Sequence, residues 1–190
     1  MLRRMNVFVC IIALGFLMLM NPMRIQAGEV NKGAIPGEHL AKSCKSLPWG
    51  AAVWDNPEAI VHLKSGDNVL WVDTRPASFF ENGTVRGAVL LTYNKIGQDG
   101  NELTQDSLDA ALASANIPKD SAKIVFFCQG PKCHRSYNAS IIAVTEWGYD
   151  PDNVIWYRDG YPNLFKAVKA DPKLKRKAKK YLSDDGLKQL

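Results

Sequence analysis

The sequence predicts an α/β domain with a mainly parallel sheet, and three observations carry that expectation. Val69-Leu70-Trp71-Val72, Ile124-Val125-Phe126-Phe127 and Val154-Ile155-Trp156-Tyr157 are apolar throughout, the pattern of strands covered on both faces. Helix-forming stretches with start signals alternate with these runs along the chain, as they do in parallel sheets joined by crossover helices. A cysteine, Cys128, follows one of the runs directly and precedes Gly130-Pro131 and a further helical stretch. Functional loops in such sheets lie at the C-terminal ends of strands.

The elements follow in order. Residues 28–52 are rich in Gly, Pro, Lys and Ser and read as an extension with one short helix around Glu38 to Lys45. Asp55-Asn56-Pro57-Glu58 supplies a capping residue and a first-turn proline for a helix to about Lys64. Ser65-Gly66-Asp67-Asn68 turns the chain into the strand Val69 to Asp73, Ala77 to Asn82 suits a short helix, and Ala88 to Leu91 a second buried strand. Gln98 to Asn101 reads as loop, and Thr104 caps a helix through about Ala115. The strand at 124–127, the cysteine loop and a helix from Ser136 to Val144, ending near Gly148, come next. Val154 to Tyr157 is the last expected strand, with Asp159-Gly160 as its turn.

The two ends differ from this middle. Arg3-Arg4, the apolar run Val7 to Met20 and Ile25-Gln26-Ala27 follow the order of a secretory signal peptide, predicting cleavage near Ala27 and a periplasmic or secreted protein. The expected organisation is a signal peptide at 1–27, an extension at 28–52, a domain at 53–166 and a basic helical tail at 167–190. Residues 28–164 carry 12 Lys plus Arg against 16 Asp plus Glu, whereas 165–190 carry 9 against 3. The overall excess of positive charge therefore belongs to the ends. The run Lys173 to Lys180 reads first as a solvated helix end, and membrane contact is expected only through it. Tyr181 alone interleaves with these cations, too little aromatic content for a nucleic-acid surface.

Loss of the signal peptide removes Cys10 and leaves Cys44, Cys128 and Cys133, an odd number unlike a disulfide framework. The spacing of these cysteines and of His39, His62 and His134 is not that of a metal site, and no cofactor is implied. Cys128 stands where backbone amides and a helix dipole favour a thiolate, with Lys132 and Arg135 adding positive charge, so it is the candidate nucleophile. Cys133 is a candidate resolving thiol or disulfide partner, since four intervening residues can curl to the ~5.5 Å Cα separation of a disulfide. His134 and His62 read as surface residues, Trp71, Trp147 and Trp156 as core, and Cys44 is open.

Several segments resemble the rhodanese-like domain over most of residues 53–164. Val69 to Arg75 is similar to that family's strand ending in Asp-x-Arg. Phe80 to Val89 is similar to its Gly-His-Ile-Pro-Gly-Ala segment, with Thr84 and Arg86 in place of His and Pro. Phe127-Cys128-Gln129 and Arg135-Ser136 resemble the strand, loop and helix around its active cysteine, and Gly148 to Gly160 its closing strand and turn. The resemblance implies a mainly parallel five-stranded sheet flanked by helices. It also implies a sulfurtransferase that moves sulfane sulfur from a thiosulfate-like or persulfide donor through a Cys128 persulfide. Arg135, Lys132, Gly130 and Gln129 are the expected substrate-binding residues, with Asp73 and Arg75 a structural pair and Arg86 at the pocket rim. The expected partners are a small sulfur-containing anion, a thiol acceptor and a periplasmic protein or reductant. The loop departs from the family's common forms, with residues 129–134 between the cysteine and the arginine where four or five residues are usual. A non-catalytic binding module closed by a Cys128–Cys133 disulfide, or a thiol redox protein serving a periplasmic oxidation system, is the alternative.

Overall fold

The computed structural model describes residues 34–66, 68–94 and 101–183. The signal peptide read at 1–27 and most of the loop read at 98–101 lie outside these residues. The elements are α1 Gly37–Leu40, β1 Ala52–Trp54, α2 Asn56–Ser65, β2 Val69–Asp73, α3 Ala77–Glu81, β3 Thr84–Val85, β4 Val89–Leu90 and α4 Gln105–Ser114. They continue with β5 Lys123–Phe127, α5 His134–Thr145, β6 Val154–Tyr157, α6 Gly160–Ala170, α7 Pro172–Lys175, α8 Ala178–Tyr181 and β7 Leu182–Ser183.

Five strands form one parallel sheet in the order β1-β6-β5-β2-β4. The apolar runs divide between its faces by parity, because successive strand residues point to opposite sides. Leu70, Val72, Ile124, Phe126 and Trp156 join a core with α4 and α5. Trp71, Val125, Phe127, Ile155 and Tyr157 join a second core with α2, α6 and the last helices. Side chains such as Val72, Phe126, Phe127 and Trp156 are fully buried, which is why no polar residue interrupts these runs.

The helix starts follow the local chemistry. Asp55 and Glu58 form a capping box at α2, and Gly66 ends that helix at φ 74°, a left-handed conformation natural to glycine. Thr104 and Ser107 cap α4 in the same reciprocal way. α5 begins two residues earlier than expected, at His134, with Cys133 as its N-cap residue.

Packing continues past both expected domain boundaries. Leu47, Trp49 and Ala51 of the extension are core residues, and β1 begins at Ala52. At the other end Leu174, Ala178, Tyr181 and Leu182 are buried, while Lys173, Lys175, Lys177, Lys179 and Lys180 are exposed. The basic run is thus solvated on a segment whose apolar side packs on the domain. Its last residues form β7, antiparallel to β3 through Thr84–Ser183 and Val85–Leu182. The expected turn at Asp159-Gly160 opens instead into α6, whose first-turn Pro162 is compatible with a helix start. Among the described residues no helix is long and apolar enough to cross a membrane.

Candidate functional site

The C-terminal ends of β2, β5 and β6 converge on the cysteine loop. Phe127 O, just before the cysteine, accepts from Thr74 N at 3.1 Å and Thr74 Oγ1 at 2.9 Å. Cys128 O accepts from Tyr161 N at 3.0 Å. The backbone entering the loop is therefore clamped from the end of β2 and from the first turn of α6. Cys133 N donates to Gly130 O at 2.9 Å, closing the turn that Gly130-Pro131 opens. The two cysteines, 6.2 Å apart at Cα, are joined in a disulfide. Cys128 is 1% exposed, whereas Cys133 is partly exposed at the N-cap of α5. Both sulfurs lie beside the positive end of a 12-residue helix, a place that favours thiolate over thiol once the bond is open.

A buried ion pair supports the loop from the β2 side. Arg75 Nε donates to Asp73 Oδ1 at 2.8 Å and Arg75 Nη2 to Asp73 Oδ2 at 2.6 Å, a two-pronged contact in which both side chains are almost fully buried. The same guanidinium donates to Gly83 O at 2.5 Å and to Gln129 Oε1 at 3.3 Å, and it lies 4.9 Å from the Tyr161 ring centre. Thr84 Oγ1 donates to Asp73 Oδ2 at 2.8 Å. Arg75 thus joins the β2 end, the segment before β3 and the first loop residue after Cys128.

The β6 side carries a second buried pair. Arg158 Nε and Nη2 donate to Asp55 Oδ1 and Oδ2 at 2.9 and 2.7 Å, and Arg158 Nη1 donates to His39 O and Ala41 O. Burial raises the Asp55 pKa, but the hydrogen bonds and charges of Arg158 and Lys42 outweigh it and hold the carboxyl below its ordinary value. Lys42 Nζ lies 2.8 Å from Asp159 Oδ1 and 3.0 Å from Asp55 Oδ1, so residues 39–42 are tied across the ends of β1 and β6.

Asp159 precedes the glycine on which the loop rests. Gly160 has φ 71°, and a Cβ there would stand 2.5 Å from Gly130 N and 2.6 Å from Cys128 O. No side chain fits between α6 and the cysteine loop.

The expected site residues separate into three groups. Cys128, Cys133, Gln129 and Gly130 are brought together, with Asp73 and Arg75 behind them. Arg135 lies at the loop's edge, its Nε donating to Asn94 Oδ1 at 3.0 Å, and Lys132 is exposed. Arg86, expected at the pocket rim, lines a cleft of its own and is tied to the end of the described chain. Its Nε donates to Lys179 O at 2.6 Å and its Nη2 to Leu182 O at 3.3 Å, because the β3–β7 pairing draws it to the end of the chain. The cleft of about 470 Å³ that Arg86 lines is shared with Phe80, Glu81, Gly87 and Ser183, and with no residue of the cysteine loop.

His134 sits on the first turn of α5 and His62 stacks on Trp54 at 4.1 Å. The free Cys44 donates to Ser46 O at 3.3 Å. Thr74, Tyr161, Gly160 and Arg158 are the supporting residues that sequence reasoning missed. The Asp159-Gly160 turn signal marked the place of one of them without its purpose. Among the described residues no group of three or more His, Cys, Asp and Glu side chains is placed to hold a metal ion.

The sequence matches the rhodanese-like domain family over residues 56–167. No curated protein matches it. Among solved structures it is similar to a yeast protein tyrosine phosphatase of the rhodanese family, with 15% identity, 69% of this chain and 92% of that chain covered, and a TM-score of 0.50. A second Saccharomyces cerevisiae structure, described as a homolog of single-domain rhodanese and the Cdc25 phosphatase catalytic domain, gives 14% identity, 70% and 88% coverage and a TM-score of 0.51. An As-Sb reductase from Leishmania major gives 13% identity, 63% and 80% coverage and a TM-score of 0.47. At such identities the structural likeness is one of fold. The matched span covers more than half of the chain and includes the whole cysteine loop: this chain belongs to the rhodanese-like domain family.

Proposed function

We propose that the protein is an exported sulfurtransferase that carries sulfane sulfur on Cys128 and resolves the resulting persulfide with Cys133. The observation that carries this reading is the placement of two cysteines within bonding distance of each other, at a strand end and on the N-cap of α5. In the reduced protein the Cys128 thiolate attacks the outer sulfur of a thiosulfate-like anion, the inner sulfur leaves as sulfite, and a Cys128 persulfide forms. The loop amides and the α5 dipole favour the anionic groups, and Arg135 and Lys132 attract the donor. A thiol or cyanide acceptor then takes the outer sulfur. When no acceptor arrives, Cys133 attacks Cys128 Sγ, releasing hydrosulfide and forming the observed disulfide. The order of basic, apolar and small residues at 1–27 supports periplasmic delivery.

The test is sulfur transfer from thiosulfate to cyanide by the protein reduced beforehand. Cys128→Ser is expected to abolish turnover. Arg135→Ala is expected to lower use of the anionic donor about ten- to a hundredfold, the worth of one charge-assisted contact of ~1.5–3 kcal/mol. Wild-type turnover in Cys128→Ser would overturn the mechanism.

A second reading draws on the near-complete burial of Cys128 in the disulfide: a binding module whose bond is permanent. Counting thiols on protein taken from its native compartment separates the two. A bond that persists when a physiological dithiol is supplied favours the module, and a labile extra sulfur on Cys128 favours the enzyme.

A further inference from the structure

The two cysteines of the disulfide sit in different surroundings. Cys128 is 1% exposed, and the carbonyls of Phe127 and Cys128 are held by Thr74 after β2 and by Tyr161 in the first turn of α6. Its backbone rests on Gly160 with no room for a methyl group. Cys133 is partly exposed on the N-cap of α5, next to exposed Lys132 and partly exposed Pro131 and His134, and no side chain caps that helix end. Thiol–disulfide exchange needs an attacking thiolate in line with the bond it breaks, so access decides which sulfur is struck.

We propose that the protein exchanges electrons with a partner dithiol through Cys133, with Cys128 as the leaving sulfur. This rests on the sulfurtransferase reading for its purpose, since each resolved persulfide leaves one disulfide to be reduced, but not for its chemistry. One thiolate of the partner attacks Cys133 Sγ. The Cys128–Cys133 bond breaks, Cys128 Sγ takes the electron pair and a proton from solvent, and a mixed disulfide joins the partner to Cys133. The partner's second thiol then attacks its own bonded sulfur. Cys133 leaves as a thiolate favoured by the α5 N-terminus, and the partner departs as a disulfide. Two electrons pass from the dithiol to the cysteine pair. A later resolution step passes them to the sulfane sulfur, which departs as hydrosulfide. Cys133 is then the point of contact with the reductant, and Cys128 is reserved for the sulfur donor.

The experiment uses the full chain carrying Cys10→Ser and Cys44→Ser, oxidised and then treated with glutathione as a monothiol probe, with N-ethylmaleimide trapping the released thiol. Peptide mapping is expected to find glutathione on Cys133 and the alkyl label on Cys128, in about tenfold or greater excess over the reverse arrangement. Glutathione on Cys128, an even division, or a bond that glutathione does not open would each overturn the proposal. A second measurement does not depend on the disulfide. In the same background the reduced Cys128→Ser variant, which keeps Cys133, is expected to react with 5,5′-dithiobis(2-nitrobenzoate) about tenfold faster than reduced Cys133→Ser. The opposite order would overturn it.

Neither measurement contains a sulfane donor. Adducts on Cys133 in a protein without thiosulfate activity would leave the exchange standing and remove the sulfurtransferase. Thiosulfate activity with adducts on Cys128 would do the reverse.

Discussion

Two arginines stand almost fully buried at strand ends on either side of the cysteine loop, and they are anchored in opposite ways. Arg75 is paired with Asp73, two residues away on the same strand end. Arg158 is paired with Asp55, 103 residues away, and its remaining donors hold the backbone of residues 39 and 41. Burying either charge is unfavourable unless its hydrogen bonds are satisfied, and both are satisfied by a two-pronged carboxylate and by carbonyls. The difference is in what each would release if broken. Arg75 touches Gln129 and so holds the loop that carries the chemistry. Arg158 closes the chain's first described segment onto the sheet.

The largest expected effect comes from breaking the remote pair. Arg158→Gln leaves the buried Asp55 with only the exposed Lys42 and Lys45 as counter-charges and is expected to cost about 3 kcal/mol, read from urea unfolding. Limited proteolysis of this variant is expected to cut first within residues 34–50. Arg75→Gln is expected to cost a similar amount but to change Cys128 alkylation in the reduced, still-folded protein, a readout Arg158→Gln leaves near wild type. If both variants alter Cys128 alkylation equally, the division of labour between the pairs is wrong.

Gly160→Ala tests the floor between the two pairs. A methyl group 2.5 Å from Gly130 N must displace the loop, at an expected ~1–3 kcal/mol, together with a fall in sulfur transfer. A variant as stable and active as the wild type would show that the loop moves freely. Acid should find the remote pair as well. The Asp55 carboxyl is held below its ordinary pKa, so its stabilisation is present above the unfolded value of about 3.9 and is lost as pH falls through the folded one. Asp55→Asn is expected to flatten that part of the stability profile below about pH 4.

The smallest effect belongs to Lys42. Its side chain is 67% exposed beside Asp55 and Asp159, and Lys42→Ala is expected to cost about 1 kcal/mol or less. A larger loss would mean that residues 39–42 are held by this surface cation rather than by Arg158.

These pairs also mark how far the sequence could be read. Asp73 and Arg75 are close in the chain, so their spacing was informative. Asp55 was legible as a helix cap, and it is one, but nothing local announces that its carboxylate also receives an arginine from the end of β6. The strands at 69–73 and 154–157 were legible because burial on both faces keeps 69–72 and 154–157 free of polar residues, Asp73 standing only at the strand's end. Ala52–Trp54, Thr84–Val85 and Leu182–Ser183 were not, because two or three residues carry no period and their pairing is decided by distant partners. The partners of Arg86 were not legible for the same reason, being 93 and 96 residues away. At the site, chain geometry showed that a Cys128–Cys133 bond could close, beside the alternative of a resolving thiol. The unequal burial of the two cysteines was not legible, because it depends on Gly160 and Tyr161 packing against the Cys128 backbone from α6.

The pairing of β7 with β3 has a consequence for how the chain is made. Arg86 and Val85 wait for partners that lie more than 90 residues later, close to the last described residue. Synthesis therefore delivers β2, β5 and the cysteine loop well before the segment that seals Tyr181 and Leu182 onto the second core. Contacts of such long range are slow to form, because the closure of the intervening chain must come first. Until residues 174–182 arrive, the second core stays open on the side that Leu174, Ala178, Tyr181 and Leu182 cover, and the fold latches only when they dock.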